Sequence, residues 1–250
     1  MKFWINAYSI SVNTPDWPHL QAKLTQYFAA GQGFALATLN MDHLVKLETD
    51  QAFQHAYAEQ DIVVADGNPI VWMSQLAGSP VELQPGSDLV YPIARICAEM
   101  GIPIALIGSR GESLSKAAVA LREALPDLKI VYQNSPTMGF NPTGPEAAAV
   151  LNAAQTAGAR MCFLALGAPK QEVFAAFGRQ VAPKLSFASV GAGLDFLSGD
   201  QTRAPLWVRK IAMEWLWRMV TNPGRMVARY SKSFIVLPGH LFRSVVRTQD

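Results

Sequence analysis

Six short apolar runs, separated by stretches with helical patterning, constrain this chain more than any other feature. They are "FALATLN" (34–40), "DIVVAD" (61–66), "IPIALIGS" (102–109), "LKIVYQN" (128–134), "MCFLALG" (161–167) and "LSFASVG" (185–191). Most are apolar at consecutive positions, so both faces of the strand they form must be covered. The stretches between them are helical. "MDHLVKLETDQAFQHAYAEQ" places Leu44, Leu47, Phe53 and Tyr57 near a 3.6-residue period, and "ESLSKAAVALREAL" and "GPEAAAVLNAAQTAG" are rich in strong helix formers. This alternation predicts an α/β, Rossmann-like fold, a mostly parallel sheet flanked by helices. With 250 residues, half of them hydrophobic, the chain can bury a sizeable core.

The pattern changes after Gly193. "APLWVRKIAMEWLWRMV" sets Trp207, Trp215 and Trp217 among arginines, and proline and glycine interrupt the stretch after it. The chain divides into an α/β body over residues 1–195 and a basic, amphipathic, helical C-terminal appendage over 196–250. Net charge is +2 but uneven. From Gln201 onward stand Arg203, Arg209, Lys210, Arg218, Arg225, Arg229, Lys232, Arg243 and Arg247, against Glu214 and Asp250 alone. Such a tail suits an anionic partner, and tryptophan interleaved with arginine suits a headgroup region. The alternative is that these tryptophans pack on the body or on another subunit of a homo-oligomer. No nucleic-acid partner is expected. The start, "MKFWINAYSISV", lacks the longer apolar core and cleavage site of a signal peptide, and no run of about 18 apolar residues exists, so the expected location is cytoplasmic. Cys97 and Cys162 sit in apolar surroundings and are expected to pack as small hydrophobes without a disulfide.

In an open parallel sheet, ligands gather at the carboxyl ends of the strands. The first run ends with Thr38 and Asn40, and the second with Asp66 and Gly67. "GSRGES" supplies Gly108 and Ser109, and "LALGAPKQE" brings Lys170 and Gln171 to the first turn of a helix. "VGAGLDF" carries Asp195. Each has a plain structural reading as well. Asp66 can cap the helix that starts near Pro69, and Thr38 and Asn40 can cap the one starting at Met41. Asp88 of "GSDL" can support a helix start, with catalysis the lesser reading, while His43 and His55 read as surface residues. "GSRGES" does not match G-x-G-x-x-G, but a helix N-terminus there still favours an anion. There is no G-x-S-x-G, no D-x-D pair and no metal-ligand spacing. The set suits an anionic, sugar-like ligand handled without an obligatory metal.

Several longer stretches resemble a family. "TLNMDHLVKLETDQAFQHAYAEQDIVVADGNPIVW", "GSDL", the Gly139–Phe140 pair, "LGAPKQE", "VGAGLDFLSG", "RAP" and "EWLWRM…NPGRMVARY" look like the WecG/TagA/CpsF glycosyltransferases, in the same order, over roughly residues 5 to 235. These bacterial enzymes build wall teichoic acids, surface antigens and exopolysaccharides. The resemblance implies inverting, metal-independent transfer from a UDP-sugar to a saccharide on a polyprenyl diphosphate, with no cofactor. It implies Asp66 as general base, Thr38 and Asn40 in the same pocket, Gln171 near the donor sugar and Asp195 near the nucleotide. The family's appendage carries arginines, closes over the site and helps meet the membrane, which implies a peripheral position on the inner face of the cytoplasmic membrane. One position departs from the pattern. Where the family commonly has an arginine, three residues before the glycine of "GSDL", this chain has Leu83. A different basic residue therefore serves the diphosphate, or the substrate is bound differently.

The residues suit that chemistry. A carboxylate at a strand end can take the acceptor hydroxyl's proton. An aspartate of ordinary pKa, about 3.9, is a weak base, and burial against Val63, Val64 and Trp72 is expected to strengthen it. The leaving diphosphate needs positive charge from helix N-termini, Lys170, Arg203 or Arg209. Two other classes compete: a nucleotide-dependent epimerase or dehydrogenase, which copurified nicotinamide would reveal, and a membrane-surface scaffold, which would not bind UDP.

Overall fold

The computed structural model describes residues 1–5 and 8–201, and beyond them positions 204, 205, 207, 208, 213, 216, 217, 220 and 224. Six of its strands are those expected, each a little shorter than its apolar run: β3 (Ala35–Leu39), β4 (Ile62–Ala65), β5 (Ile104–Gly108), β6 (Ile130–Asn134), β7 (Met161–Ala165) and β8 (Ser186–Ser189). They form one parallel sheet in the order β4-β3-β8-β7-β5-β6. The fold is therefore α/β and Rossmann-like. Strands β3, β4, β5 and β8 are buried along their whole length, whereas edge strand β6 alternates half-buried and exposed residues.

The alternation of side chains divides the core. Leu36, Ile62, Val64, Ile104, Leu106 and Phe163 meet α1 (Trp17–Ala29), α5 (Gly86–Glu99) and α6 (Gly111–Ala124) on one face. On the other face, Ala37, Leu39, Val63 and Ala65 meet α2 (Met41–Leu47), α3 (Gln51–Ala58) and α4 (Asn68–Leu76). Farther along that face, Ala105, Ile107, Leu164 and Phe187 meet α7 (Pro145–Thr156) and α8 (Lys170–Val181). The two cysteines are free and buried in these cores, as expected, and burial pushes the Cys162 thiol up to about 12.

Three features differ from the sequence reading. The stretch 41–60 is two helices, because Asp50 accepts the Phe53 N–H at 3.0 Å and starts a second helix. His43 is buried, not on the surface, with Nδ1 2.6 Å from the Tyr57 hydroxyl; the break at Asp50 folds α3 back over it. Its companion His55 is exposed, as expected. The N-terminal stretch is an antiparallel hairpin of β1 (Lys2–Ile5) and β2 (Tyr8–Ser11), with Phe3, Ile5 and Ile10 turned into the core.

The edge strand β4 carries the carboxylate of most interest, and its outer backbone is closely tied down. Asn13 donates its N–H to the Val63 carbonyl at 3.1 Å and accepts the Val63 N–H on Oδ1 at 3.0 Å. Gln84 donates to the Ala65 carbonyl at 2.8 Å, so the segment from Leu83 lies alongside the strand end. Pairing of this kind closes an otherwise open edge and fixes the position of Asp66 beyond it. The last helix of the body, α9 (Gly193–Leu197), spans the expected divide at 195/196. Residues up to Gln201 remain bonded to the body, with Ser113 donating to Asp200. The appendage beyond lies largely outside the described residues; of its tryptophans, Trp207 is exposed and Trp217 half-buried. Among the described residues, no helix is long and apolar enough to cross a membrane.

Candidate active site

Parallel pairing brings the carboxyl ends of β4, β3, β8, β7 and β5 side by side, in that order, and with them most of the expected residues. Asp66 follows β4 directly. Its N–H extends the ladder to the Leu39 carbonyl at 2.8 Å, and the residue is half-buried. It does not take the N-cap position of α4. Gly67 holds that position with φ 104°, and no side chain caps the helix. Only glycine adopts that backbone readily, and an added Cβ would meet nothing nearer than Pro69 at 3.8 Å. Of the residues expected to bury Asp66, Trp72 is itself 45% exposed while Val63 and Val64 are buried.

Thr38 and Asn40 separate in role. Asn40 caps α2, accepting the His43 N–H on Oδ1 at 3.1 Å. Thr38 is not a cap; it is buried within β3 and donates to the Ser189 carbonyl at 3.4 Å. The start of α5 packs over this point, since a Cβ on Gly86 would sit 3.3 Å from the Thr38 hydroxyl and 3.1 Å from Val190. Asp88 lies in the first turn of the same helix, and Leu83 is an exposed apolar residue beside the β4 end.

At the other side, Gly108 ends β5 with φ 112°, and an added Cβ would lie 2.5 Å from the Ala165 backbone of β7. Ser109 has φ 56°, unusual for a residue with a side chain, and its hydroxyl donates to Asp195. The second Asp195 oxygen accepts from Gln201 Nε2 at 2.9 Å. Asp195 thus ties the β5 turn to α9. Gly139 is exposed in a turn with φ 87°, while Phe140 is buried with Phe174 at 5.7 Å between ring centres. Phe140 therefore belongs to the core under α7 and α8, and the structure does not bring it to the strand-end cluster. Lys170 is exposed at the first turn of α8. Arg203 and Arg209 lie outside the described residues.

The helices that begin at this edge differ in how they are capped. Asp16, Asn40 and Asp50 cap α1, α2 and α3, but α4, α5, α6 and α8 start without a side-chain cap. Their first N–H groups carry partial positive charge. Among the described residues, no three His, Cys, Asp or Glu side chains converge as a metal site.

Sequence reasoning missed Glu172. It is fully buried at the start of α8, and Gln171 Nε2 donates to its Oε1 at 2.8 Å. Gln171, itself 3% exposed, accepts the Gly191 N–H on Oε1 at 3.1 Å. Burial pushes the Glu172 carboxyl up to about 7; its bond from Gln171 and the Lys46 charge oppose that, and Asp42 adds to it. Burial, then the charges of Glu172 and Asp66, raise the Tyr57 hydroxyl well above its ordinary value. An acidic residue in a first helical turn reads as a companion of the helix dipole, so nothing local marked Glu172 as interior.

A Rossmann-like parallel sheet with a carboxylate, amides and uncapped helix N-termini at its carboxyl edge defines an α/β protein of the class whose ligands generally gather at the strand ends. The chain belongs to the glycosyl transferase WecG/TagA/CpsF family, whose model matches residues 5–250. Membership makes it a glycosyltransferase of cell-surface polysaccharide synthesis, and such enzymes in general use a nucleotide-sugar donor and a lipid-linked acceptor.

Proposed function

We propose that the protein moves a sugar, with inversion and without a metal, from a UDP-sugar to a saccharide on a polyprenyl diphosphate, at the cytoplasmic face of the membrane. The observation that carries this reading is a half-buried carboxylate, Asp66, at a strand end beside helix N-termini that no side chain caps. The acceptor oxygen forms its bond to the anomeric carbon as the bond from that carbon to the UDP oxygen breaks. The acceptor proton passes to Asp66, and UDP leaves with the electron pair. The transition state has oxocarbenium character. Charge building on the leaving diphosphate is met by the first N–H groups of α5, α6 or α8, by Lys170 and by arginines of the appendage, Arg203 and Arg209 among them. The apolar Leu83 beside Asp66 supplies none of that charge. The basic appendage holds the enzyme to anionic lipid, where its acceptor resides.

A panel of UDP-sugars with a lipid-linked acceptor tests the reading. Transfer from at least one donor, with inverted linkage, is the expected result. Asp66→Asn should keep the fold and UDP binding while losing on the order of 10²–10⁴ in rate. Retention of more than about a third of wild-type turnover refutes Asp66 as the base and moves attention to Asp88.

A further inference from the structure

We infer that Glu172 is a positioning residue for the transfer: through the Gln171 amide it holds the Gly191 turn from which the Asp195 helix starts. This rests on the transferase reading above, in which Asp195 lies near the nucleotide. An ionised carboxylate can only accept hydrogen bonds, so Glu172 Oε1 draws the NH₂ end of Gln171 toward itself. That choice leaves the Gln171 carbonyl oxygen facing Gly191, where it accepts the backbone N–H. Turned by 180°, the amide would set its NH₂ against the Gly191 N–H and its carbonyl oxygen against the carboxylate, and both bonds would be lost. Gly191 has φ 55° and stands two residues before α9, whose Asp195 joins Ser109 and Gln201. The chain Glu172–Gln171–Gly191 therefore links the start of α8 to the turn after β8, spanning two neighbouring strand ends.

Glu172 is fully buried. The Gln60 amide donates to its backbone carbonyl at 3.4 Å, and Oε2 is buried with no hydrogen-bond partner among the described residues. The charged and titratable groups that face it are Asp42 and Lys46 of α2 and Tyr57 of α3, with His43 bonded to Tyr57 and Asp66 also acting on that hydroxyl. Lys46 is itself held by Asp42 at 2.7 Å and by the Ala168 carbonyl at 3.1 Å. A proton taken up by Glu172 goes to Oε2, and Oε1 keeps the Gln171 bond. The link thus persists in both states, charge-assisted in the ionised one and weaker in the neutral one.

The test is a pH titration of the ¹⁵N-labelled full chain, following the Gln171 side-chain NH₂ and the Gly191 amide. Both signals should move together in the wild type between about pH 5.5 and 8.5, and stay still in Glu172→Gln. Immobile signals in the wild type, different midpoints for the two groups, or a titration that survives in Glu172→Gln each overturn the proposal; the last would assign the proton to His43 or another neighbour. Calorimetry with UDP gives a second readout. Glu172→Leu, which cannot orient the amide, should weaken UDP by about tenfold or more, because small displacements of a binding turn are costly. Wild-type affinity in a folded Glu172→Leu protein refutes the positioning role. A wild type that ignores UDP refutes the transferase reading, and the titration then judges the Glu172 link by itself.

Discussion

Replacing Glu172 by glutamine should make stability respond to pH in a way that the structure specifies. The carboxyl, which ordinarily titrates near 4.5, is pushed up to about 7 by burial. Because its folded pKa is the higher one, the folded state holds the proton more tightly than the unfolded chain. Glu172 therefore costs little stability below about pH 4.5, progressively more as pH rises toward 7, and a constant amount above that. Each pKa unit is worth about 1.4 kcal/mol, so the buried charge costs about 3 kcal/mol at pH 8 and under about 1 kcal/mol at pH 5. Glutamine removes that cost but places an NH₂ where Oε2 has no hydrogen-bond partner among the described residues, a penalty of about 1–3 kcal/mol at either pH. The penalty cancels when the two conditions are compared. The variant should gain about 2–3 kcal/mol on the wild type between pH 5 and pH 8. Urea unfolding followed by tryptophan fluorescence at the two pH values measures this directly. A difference below about 1 kcal/mol would mean that Glu172 is not a buried acid of raised pKa, and the reasoning fails.

Three further outcomes are expected. Transfer should persist in EDTA, because helix N-termini and basic side chains are proposed to carry the charge of the leaving group; abolition with rescue by magnesium or manganese would refute a metal-free mechanism. Truncation after Gln201 keeps the bonds that Asp200 and Gln201 make to the body. It should reduce sedimentation with anionic liposomes at low salt and lower transfer sharply, since each basic residue near such a surface is worth about 1 kcal/mol; full activity in the truncated protein would refute a tail contribution to the site. Gly108→Ala combines a φ of 112° with a Cβ 2.5 Å from the Ala165 backbone. It should cost at least about 3 kcal/mol in urea unfolding, and a cost under about 1 kcal/mol would show that β5 and β7 can part without penalty.

Strands β3, β4, β5, β7 and β8 were legible because strands covered on both faces are apolar at nearly every position, a requirement that local patterning displays, whereas β6 alternates half-buried and exposed residues. The strand-end residues were legible for the related reason that a buried run ending on Asp66 or on Gly108 and Ser109 marks a sheet mouth. The hairpin at the start was not, because its inward positions, Phe3, Ile5 and Ile10, are too few to set a period around residues 6 and 7. In the sequence His43 reads as exposed because a single helical period runs through Asp50, where the chain in fact turns.

Local patterning was enough to establish the fold class, the family and which polar residues stand at the carboxyl edge of the sheet, since each depends on residues close together in the chain. Which polar groups at that edge face a ligand and which hold the protein together depends on packing between distant segments. Asn40 and Thr38 are two residues apart, yet one caps a helix and the other bonds across to β8. Gln171 and Glu172 are adjacent, and their meaning comes from Gly191, twenty residues on, and from α2 and α3, more than a hundred residues earlier. Burial and a hydrogen bond between distant segments exist only once the sheet has brought those segments side by side, so no local pattern could encode the buried acid behind the site.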